Sequence, residues 1–226
     1  MSTAANSYPV TDRTRAKRRA ERAHYDRETV HAILDEGLVC HVAFVAGDQP
    51  MAIPTAYARD GDSLLFHGST ANRMLRTLAG GARASVTVTL IDGLVLARSA
   101  FHHSMNYRSV MVFGTGRAID DPAEKLAALE RTVEHIVPGR LGDVRGPSEI
   151  ETKQTLVVRM AIEEASAKVR TGAPVDDADD MTLAVWAGVV PLTTVAGGPI
   201  TDRSGVGVDA VPEHASAYRR SRPPTA

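Results

Sequence analysis

The chain is short of cysteine, of long apolar runs and of charge of one sign. Cys40 is the single cysteine in 226 residues. That excludes an intrachain disulfide framework, and its place in the apolar run 38–45 reads as a buried strand thiol. No apolar run approaches the length that spans a bilayer, and the first residues are polar without a signal-peptide core. The expected location is therefore the cytoplasm, with no membrane partner. The formal net charge is −1, which argues against a surface built for nucleic acid. Arg13, Arg15, Lys17, Arg18, Arg19 and Arg22 do make 1–22 a basic arm, loosely ordered or packed on a partner subunit. No reading element or aromatic platform follows it, so no nucleic acid is expected.

Signature motifs are missing as well. A GxSxG elbow, a GxxxxGK phosphate loop and a GxGxxG after a strand are all absent, which withdraws support from hydrolase, nucleotide-hydrolysing and dinucleotide-fold readings. There is no HExxH. His102 and His103 are adjacent, and neighbours in a strand point to opposite faces, so they chelate poorly and no metal site is expected. The cluster Asp176, Asp177, Asp179 and Asp180 lacks EF-hand spacing and reads as a solvated loop. A haem held by one axial histidine stays open as an alternative, because it asks only for an imidazole and an apolar pocket.

What is present is organised around 53–78. Two strand-like runs, 53–59 and 63–69, flank Asp60-Gly61-Asp62, a strong hairpin signal. Ser69 then reads as the N-cap of a helix over 70–81, with Ala71, Met74, Leu75 and Leu78 on its apolar face and Gly80-Gly81 as its stop. Free N–H groups at that helix start, the Ser69 and Thr70 hydroxyls, and the guanidiniums of Arg73 and Arg76 would suit a phosphate.

Around this stretch, Asp26 caps a helix over 27–36, and strands are expected at 38–46, 51–58 and 83–91. Asp92-Gly93 reads as a turn. A long strand over 107–119 carries Gly114 and Gly116, which imply a bulge or bend. A helix opens at Asp120-Asp-Pro, with Leu126, Leu129, Val133, Ile136 and Val137 as its buried face. A short helix at 147–153, strands over 155–162 and 165–170, and a flexible tail over 193–226 complete the chain, leaving 23–192 as one domain.

Four segments, RAHYDRETVHAILDEGLVCHVAF, PTAYARDGDSLLFHGSTANRML, LARSAFHHSMNYRSVMVFG and WAGVVPL, together resemble the flavin-binding split-barrel proteins related to pyridoxamine 5'-phosphate oxidase. Within that family they resemble the nitroimidazole-resistance branch. The resemblance spans about Arg19 to Leu192. It implies a mainly β fold with flanking helices, a six-stranded antiparallel split barrel that is a homodimer, and flavin mononucleotide (FMN) at the subunit interface. It places Pro54, Thr55 and Tyr57 along the flavin ring, and His67, Gly68, Ser69, Asn72, Arg73 and Met74 around the ribityl phosphate. Asn106, Tyr107, Arg108 and Ser109, with Arg98 and Ser99, fall near the ring edge. Trp186 stands where an aromatic covers the ring, a core tryptophan being the alternative. The family's vitamin-synthesising oxidases end in an arginine-rich signature with no equivalent after Trp186, which speaks against that activity.

The expected function is thus an FMN-dependent oxidoreductase reducing a small molecule, its catalytic residues unassigned because the ring carries the electrons. A flavin-storage module, a haem-binding relative and a deazaflavin in place of FMN are the alternatives. For a deazaflavin, Arg18, Arg19 and Arg22 would hold its acidic tail.

Overall fold

The structure, a computed structural model, describes residues 6–204 and 210–220. The remaining parts of the predicted arm and tail, 1–5, 205–209 and 221–226, lie outside the described residues. In chain order the elements are β1 (Ala23–His24), α1 (Arg27–Glu36), β2 (Val39–Ala46), β3 (Gln49–Ala56), β4 (Ala58–Asp60), β5 (Ser63–Ser69), α2 (Arg73–Ala79), β6 (Arg83–Leu96) and β7 (Ser104–Ala118). Then follow α3 (Pro122–Ile136), α4 (Glu149–Gln154), β8 (Thr155–Ala161), β9 (Glu164–Arg170), β10 (Gly188–Pro191) and α5 (Glu213–Ser216).

The fold is mainly β with flanking helices, in the split-barrel arrangement. All ladders are antiparallel, running β3-β2-β6-β7-β8-β5-β4, with β9 on β7, β1 on β9 and β10 on β6. Ten strands replace the expected six. Three of the four extra strands are the short β1, β4 and β10, and the long β7 is shared between two partners. That strand bonds β9 through Tyr107–Phe113, then β8 through Gly116–Ala118. Gly114 lies at this change of partner, as its position in the expected bend implied.

Local chemistry explains most boundaries. The Asp26 carboxylate accepts from the Thr29 N–H at 2.8 Å and starts α1, and Asp121 does the same for α3 through the Glu124 N–H at 2.8 Å. Gly61, at φ 55°, turns β4 into β5. Asp92-Gly93 behaves differently from expectation. It is a bulge inside β6, with the register shifting between Ile91 and Gly93, because the strand continues to pair β7 on one side and β10 on the other. The buried face of α3 also differs. Ala128, Thr132 and His135 face inward while Leu126 is exposed. Here a packing site between α3, β4 and β5 takes small residues and a bonded histidine, whose Nε2 lies 2.9 Å from the Gly37 carbonyl.

The main core fills the space between α1, α2 and the strands with Ile33, Leu34, Val42, Phe66, Leu75, Leu78, Val112 and Met160. Cys40 lies within it, and burial pushes its thiol up to about 12, which leaves it inert.

The described part of the arm and residues 212–220 of the tail pack on this domain, whereas 193–204 are exposed as expected of a tail. Tyr8 is buried, donates its hydroxyl to Asp62 at 2.9 Å and lies under the Arg27 guanidinium, while Arg13 pairs with Glu164. One aromatic anchor and one ion pair hold a segment that has no apolar face of its own. In the tail, the Tyr218 hydroxyl donates to the Ile136 carbonyl at 2.9 Å. The Arg220 guanidinium donates to the carbonyls of Asp35 (2.7 Å), Glu36 (2.9 Å) and Gly37 (3.2 Å), and to that of His135. These are the orphan acceptors at the C-terminal ends of α1 and α3, so a single side chain caps two helices. Arg220→Ala is expected to cost roughly 1–3 kcal/mol, and Arg220→Lys to recover only part of it, since an ammonium lacks the planar fork. Thermal melting would show this as a fall of roughly 2–12 °C, and an unchanged melt would mean the cap contributes nothing.

Candidate functional site

The strand end, turn and helix expected over 63–81 are present, with the helix cap three residues beyond the expected one. Asn72, not Ser69, caps α2, its Oδ1 accepting from the Leu75 N–H at 3.1 Å. Ser69 ends β5 in a turn that precedes the helix, where its Oγ accepts from the Ala71 N–H at 3.2 Å. The reason is that Ser69 still pairs with Thr155 across the ladder, so the chain cannot leave the strand until the turn is complete. His67, Ser69, Thr70, Asn72, Arg73 and Arg76 are exposed on one rim. Among the described residues neither Arg73 nor Arg76 has a carboxylate within ion-pair distance. Gly68 lies under this rim, and a Cβ there would meet Leu75 Cδ1 at 3.1 Å. Met74 points the other way, into the core.

The predicted ring-lining residues divide. Pro54 is exposed opposite His41, and Thr55 is half-buried beside it. Tyr57 is fully buried, its hydroxyl donating to the Leu34 carbonyl at 2.5 Å, so it serves the core and lines no accessible groove. Tyr107 and Ser109 are half-buried on β7. Arg108 is committed elsewhere. Its guanidinium holds Glu36 at the end of α1 and Asp92 in the bulge (2.8 and 3.0 Å), and those two carboxylates raise it above its ordinary range. Arg98 is also paired, its N–H and guanidinium both donating to Asp176 (2.8 and 2.9 Å), and the Ser99 carbonyl accepts from His102 and His103. The Asn106 amide donates to the Gly172 carbonyl at 3.1 Å and accepts from Arg170. Trp186 is 67% exposed, its ring lying over Gly188, so it is not a core tryptophan.

Within one copy the two groups stand apart. Ser69 pairs at the start of β8, beyond the Ala118–Val158 pair, whereas Tyr107–Ser109 lie in the first half of β7. The contour from Ser109 to Ala118 is roughly 30 Å at about 3.3 Å per residue. One chain gathers 67–73 in one place and 98–109 in another.

A second feature was not legible as a site. A cleft of about 550 Å³ is lined by Arg18, Arg19, Arg22, Lys168 and Arg170, with Phe101, His102, His103, Ser104 and Val175 completing it. The sequence signal was present but divided between the arm, the histidine pair and a strand end where Lys168 and Arg170 alternate onto one face. The histidine pair itself is not in a strand. Ala100–His102 is a 3-10 turn, so both rings face the same cleft. On its rim the His102 Nε2 lies 3.1 Å from Asp177, and ligand atoms of His102, Asp177 and Asp180 lie within 4.8 Å of one another, a grouping the sequence pattern did not foretell. Two further clefts, of about 310 and 560 Å³, lie against Phe44, Met51 and Phe113 and against Pro138 and Tyr218. None of the three is lined by Ser69, Asn72 or Arg73. Among the described residues no helix is long and apolar enough to cross a membrane.

Comparison with known proteins gives a consistent picture. The family described as pyridoxamine 5'-phosphate oxidase matches residues 26–169. Among solved structures, the flavocytochrome Anf3 from Azotobacter vinelandii is 38% identical, covering 93% of this chain and 98% of its own, with a TM-score of 0.87. The FAD and heme binding protein from Mycobacterium smegmatis is 37% identical over 87% of this chain and 96% of its own, with a TM-score of 0.82. A putative 5-nitroimidazole antibiotic resistance protein from Bacteroides thetaiotaomicron, 21% identical over 65% of this chain and 86% of its own, shares the fold at a TM-score of 0.55. No curated protein matches.

Proposed function

The chain belongs to the pyridoxamine 5'-phosphate oxidase family, and from that premise we propose that it is a homodimeric redox protein that binds a flavin nucleotide and haem. One observation carries the reading. Similarity to the flavocytochrome Anf3 runs through 93% of the chain, well beyond the residues 26–169 that define the family. A second relative, the FAD and heme binding protein, matches at nearly the same identity.

The residues suit a flavin phosphate. Among the described residues Arg73 and Arg76 have no carboxylate partners, and they stand beside the hydroxyls of Ser69 and Thr70 and the Asn72 amide. Pro54, Thr55, Tyr107 and Ser109 stand ready to line a ring, and the exposed Trp186 to cover one. Because the phosphate rim and Tyr107–Ser109 are far apart in one chain, the complete groove takes one set from each of two copies, which makes the homodimer part of the proposal. The phosphate is common to FMN and FAD, so either fits the rim; FMN is the smaller commitment.

Flavin exchanges electrons in pairs and haem iron singly, so together they let a protein draw electrons from a two-electron donor and deliver them one at a time to a small-molecule acceptor. The chain's own contribution is to hold the phosphate, shield the ring from water and set the charge at its edge.

Visible spectroscopy of the purified protein tests this. Flavin bands and a Soret band are both expected. Arg73→Ala combined with Arg76→Ala should weaken flavin binding roughly 10- to 100-fold, the value of charge-assisted hydrogen bonds to a phosphate. A protein without flavin bands that takes up no flavin on titration would overturn the reading.

A further inference from the structure

We propose that the cleft between the N-terminal flank and the β7–β9 edge is the haem site, with His103 as an iron ligand and the arginine cluster holding the two propionates. The inference rests on the haem half of the proposed function and gives it a place.

Charge is the first argument. Arg18, Arg19, Arg22, Lys168 and Arg170 converge on one cleft. The Arg170 side chain belongs to a residue only 6% exposed, yet among the described residues its acceptors are neutral oxygens, those of Asn106, Gly172 and Ala173. Its burial and the neighbouring Arg22 both disfavour the charged guanidinium. Among the described residues, the carboxylate in ion-pair range of these arginines is Glu21, 4.0 Å from Arg19 and from Arg22 and largely in solvent. A buried cation without a counter-ion destabilises a fold unless an anion completes it. The flat, doubly anionic edge of a porphyrin supplies that charge.

Shape and surface are the second. Phe101 is 90% exposed at the cleft, its ring meeting His102 edge-on at 5.2 Å, and Val175 stands exposed on the same wall. An aromatic ring of this size in open solvent is costly for a protein that makes no use of it. The volume of about 550 Å³ lies within the roughly 300–1,000 Å³ usual for cofactor pockets.

The ligand is the third. His103 Nδ1 lies 2.9 Å from the Ser99 carbonyl oxygen. A carbonyl only accepts, so Nδ1 carries the proton and Nε2 keeps its lone pair, the arrangement in which metal-binding histidines are held. His102 is different, because its Nε2 is engaged by Asp177 at 3.1 Å. Of the adjacent pair, His103 is therefore the ring prepared to bind a metal.

Position is the fourth. Arg18, Arg19, Arg22, Arg170 and Val175 lie outside residues 26–169, so the stretch that defines the family builds only half of this cleft, and its flanks supply four of the five cations. A match over 93% of the chain leaves too few residues unmatched to omit either flank from the similarity to the flavocytochrome.

Titration of the full-length apoprotein with haemin, followed by the Soret band and by electron paramagnetic resonance of the ferric iron, tests the assignment. The parent should take up one haem per chain. His103→Ala should weaken uptake roughly 10- to 100-fold and change the resonance spectrum, with added imidazole restoring it. Arg19→Glu with Arg22→Glu should weaken uptake by about tenfold or more with the spectrum unchanged, as loss of a charge partner predicts. His214→Ala, which lies at neither proposed site, should leave both readings at the parent's values. Circular dichroism and melting temperature confirm that each variant is folded. If the parent binds haem but the His103 and arginine variants match it in affinity and spectrum, or if His214→Ala is the variant that loses haem, the assignment is overturned while the haem reading stands. If charge reversal instead releases a flavin dinucleotide and leaves haem in place, the cleft holds a diphosphate and the assignment is wrong. A parent that binds no haem overturns both.

Discussion

Gly114→Ala is expected to yield little folded protein. An added Cβ would stand 2.0 Å from the Ala161 carbonyl oxygen, 3.2 Å from its carbon and 3.3 Å from Met160 Cγ. The obstructing atom is backbone, at the end of β8 where the chain turns into β9, so it cannot rotate away as a side chain would. Relief requires β7 to part from that corner, the place where it exchanges β9 for β8. Ordinary overpacking costs about 1–3 kcal/mol, and a backbone clash of this kind should reach the upper end or exceed it. Even 3 kcal/mol would lower the melting temperature by roughly 6–12 °C. Gly146→Ala is the matched control, because a Cβ at that position meets nothing within 4 Å. Soluble yield and melting should therefore separate the two glycines sharply. A Gly114→Ala protein that melts with the parent would show that the split in the barrel is looser than its backbone distances imply.

Arg108→Ala should destabilise the fold by roughly 2–4 kcal/mol without first acting on a cofactor. The guanidinium now satisfies Glu36 and Asp92 together, tying the C-terminal end of α1 to the bulge of β6. Its removal leaves two partly buried carboxylates facing each other. The figure lies below that for a fully buried pair because these groups keep some solvent, the Arg108, Glu36 and Asp92 side chains being 28%, 17% and 25% exposed. Replacing all three, as Arg108→Met with Glu36→Gln and Asp92→Asn, should recover much of the loss, since no charge is then stranded. The experiment also decides between two roles. A ring-edge contact, as the family resemblance implied, would weaken flavin binding at an unchanged melting temperature. A structural tie lowers the melting temperature in the absence of any flavin.

Those two residues illustrate what could be read in advance. Gly114 announced itself, because a glycine inside a β-branched run marks a bend or a close approach, and it proved to be both. Arg108 did not. A strand arginine beside polar residues looks the same whether its partner is a ligand or two carboxylates brought from distant parts of the chain, and Glu36 is 72 residues away. Tyr57 failed for the same reason, since its partner is the Leu34 carbonyl. Asp92-Gly93 has the composition of a turn, yet pairing on both sides of β6 keeps the strand extended through it. The helix after β5 was legible but its cap was misplaced, because the Ser69–Thr155 pairing outweighs a local capping preference.

The amino-acid sequence by itself determined the family, the succession of strands and helices, and the α1 and α3 caps, because each depends on neighbours within a few residues or on patterns along one element. Only the tertiary structure decided which cations remain unpaired. Packing the arm against the barrel brings Arg18, Arg19 and Arg22 beside Lys168, Arg170 and His103, and turns three unremarkable segments into one cleft. Electrostatic compensation and burial depend on distances between residues remote in the chain, and those distances exist only once the chain has folded.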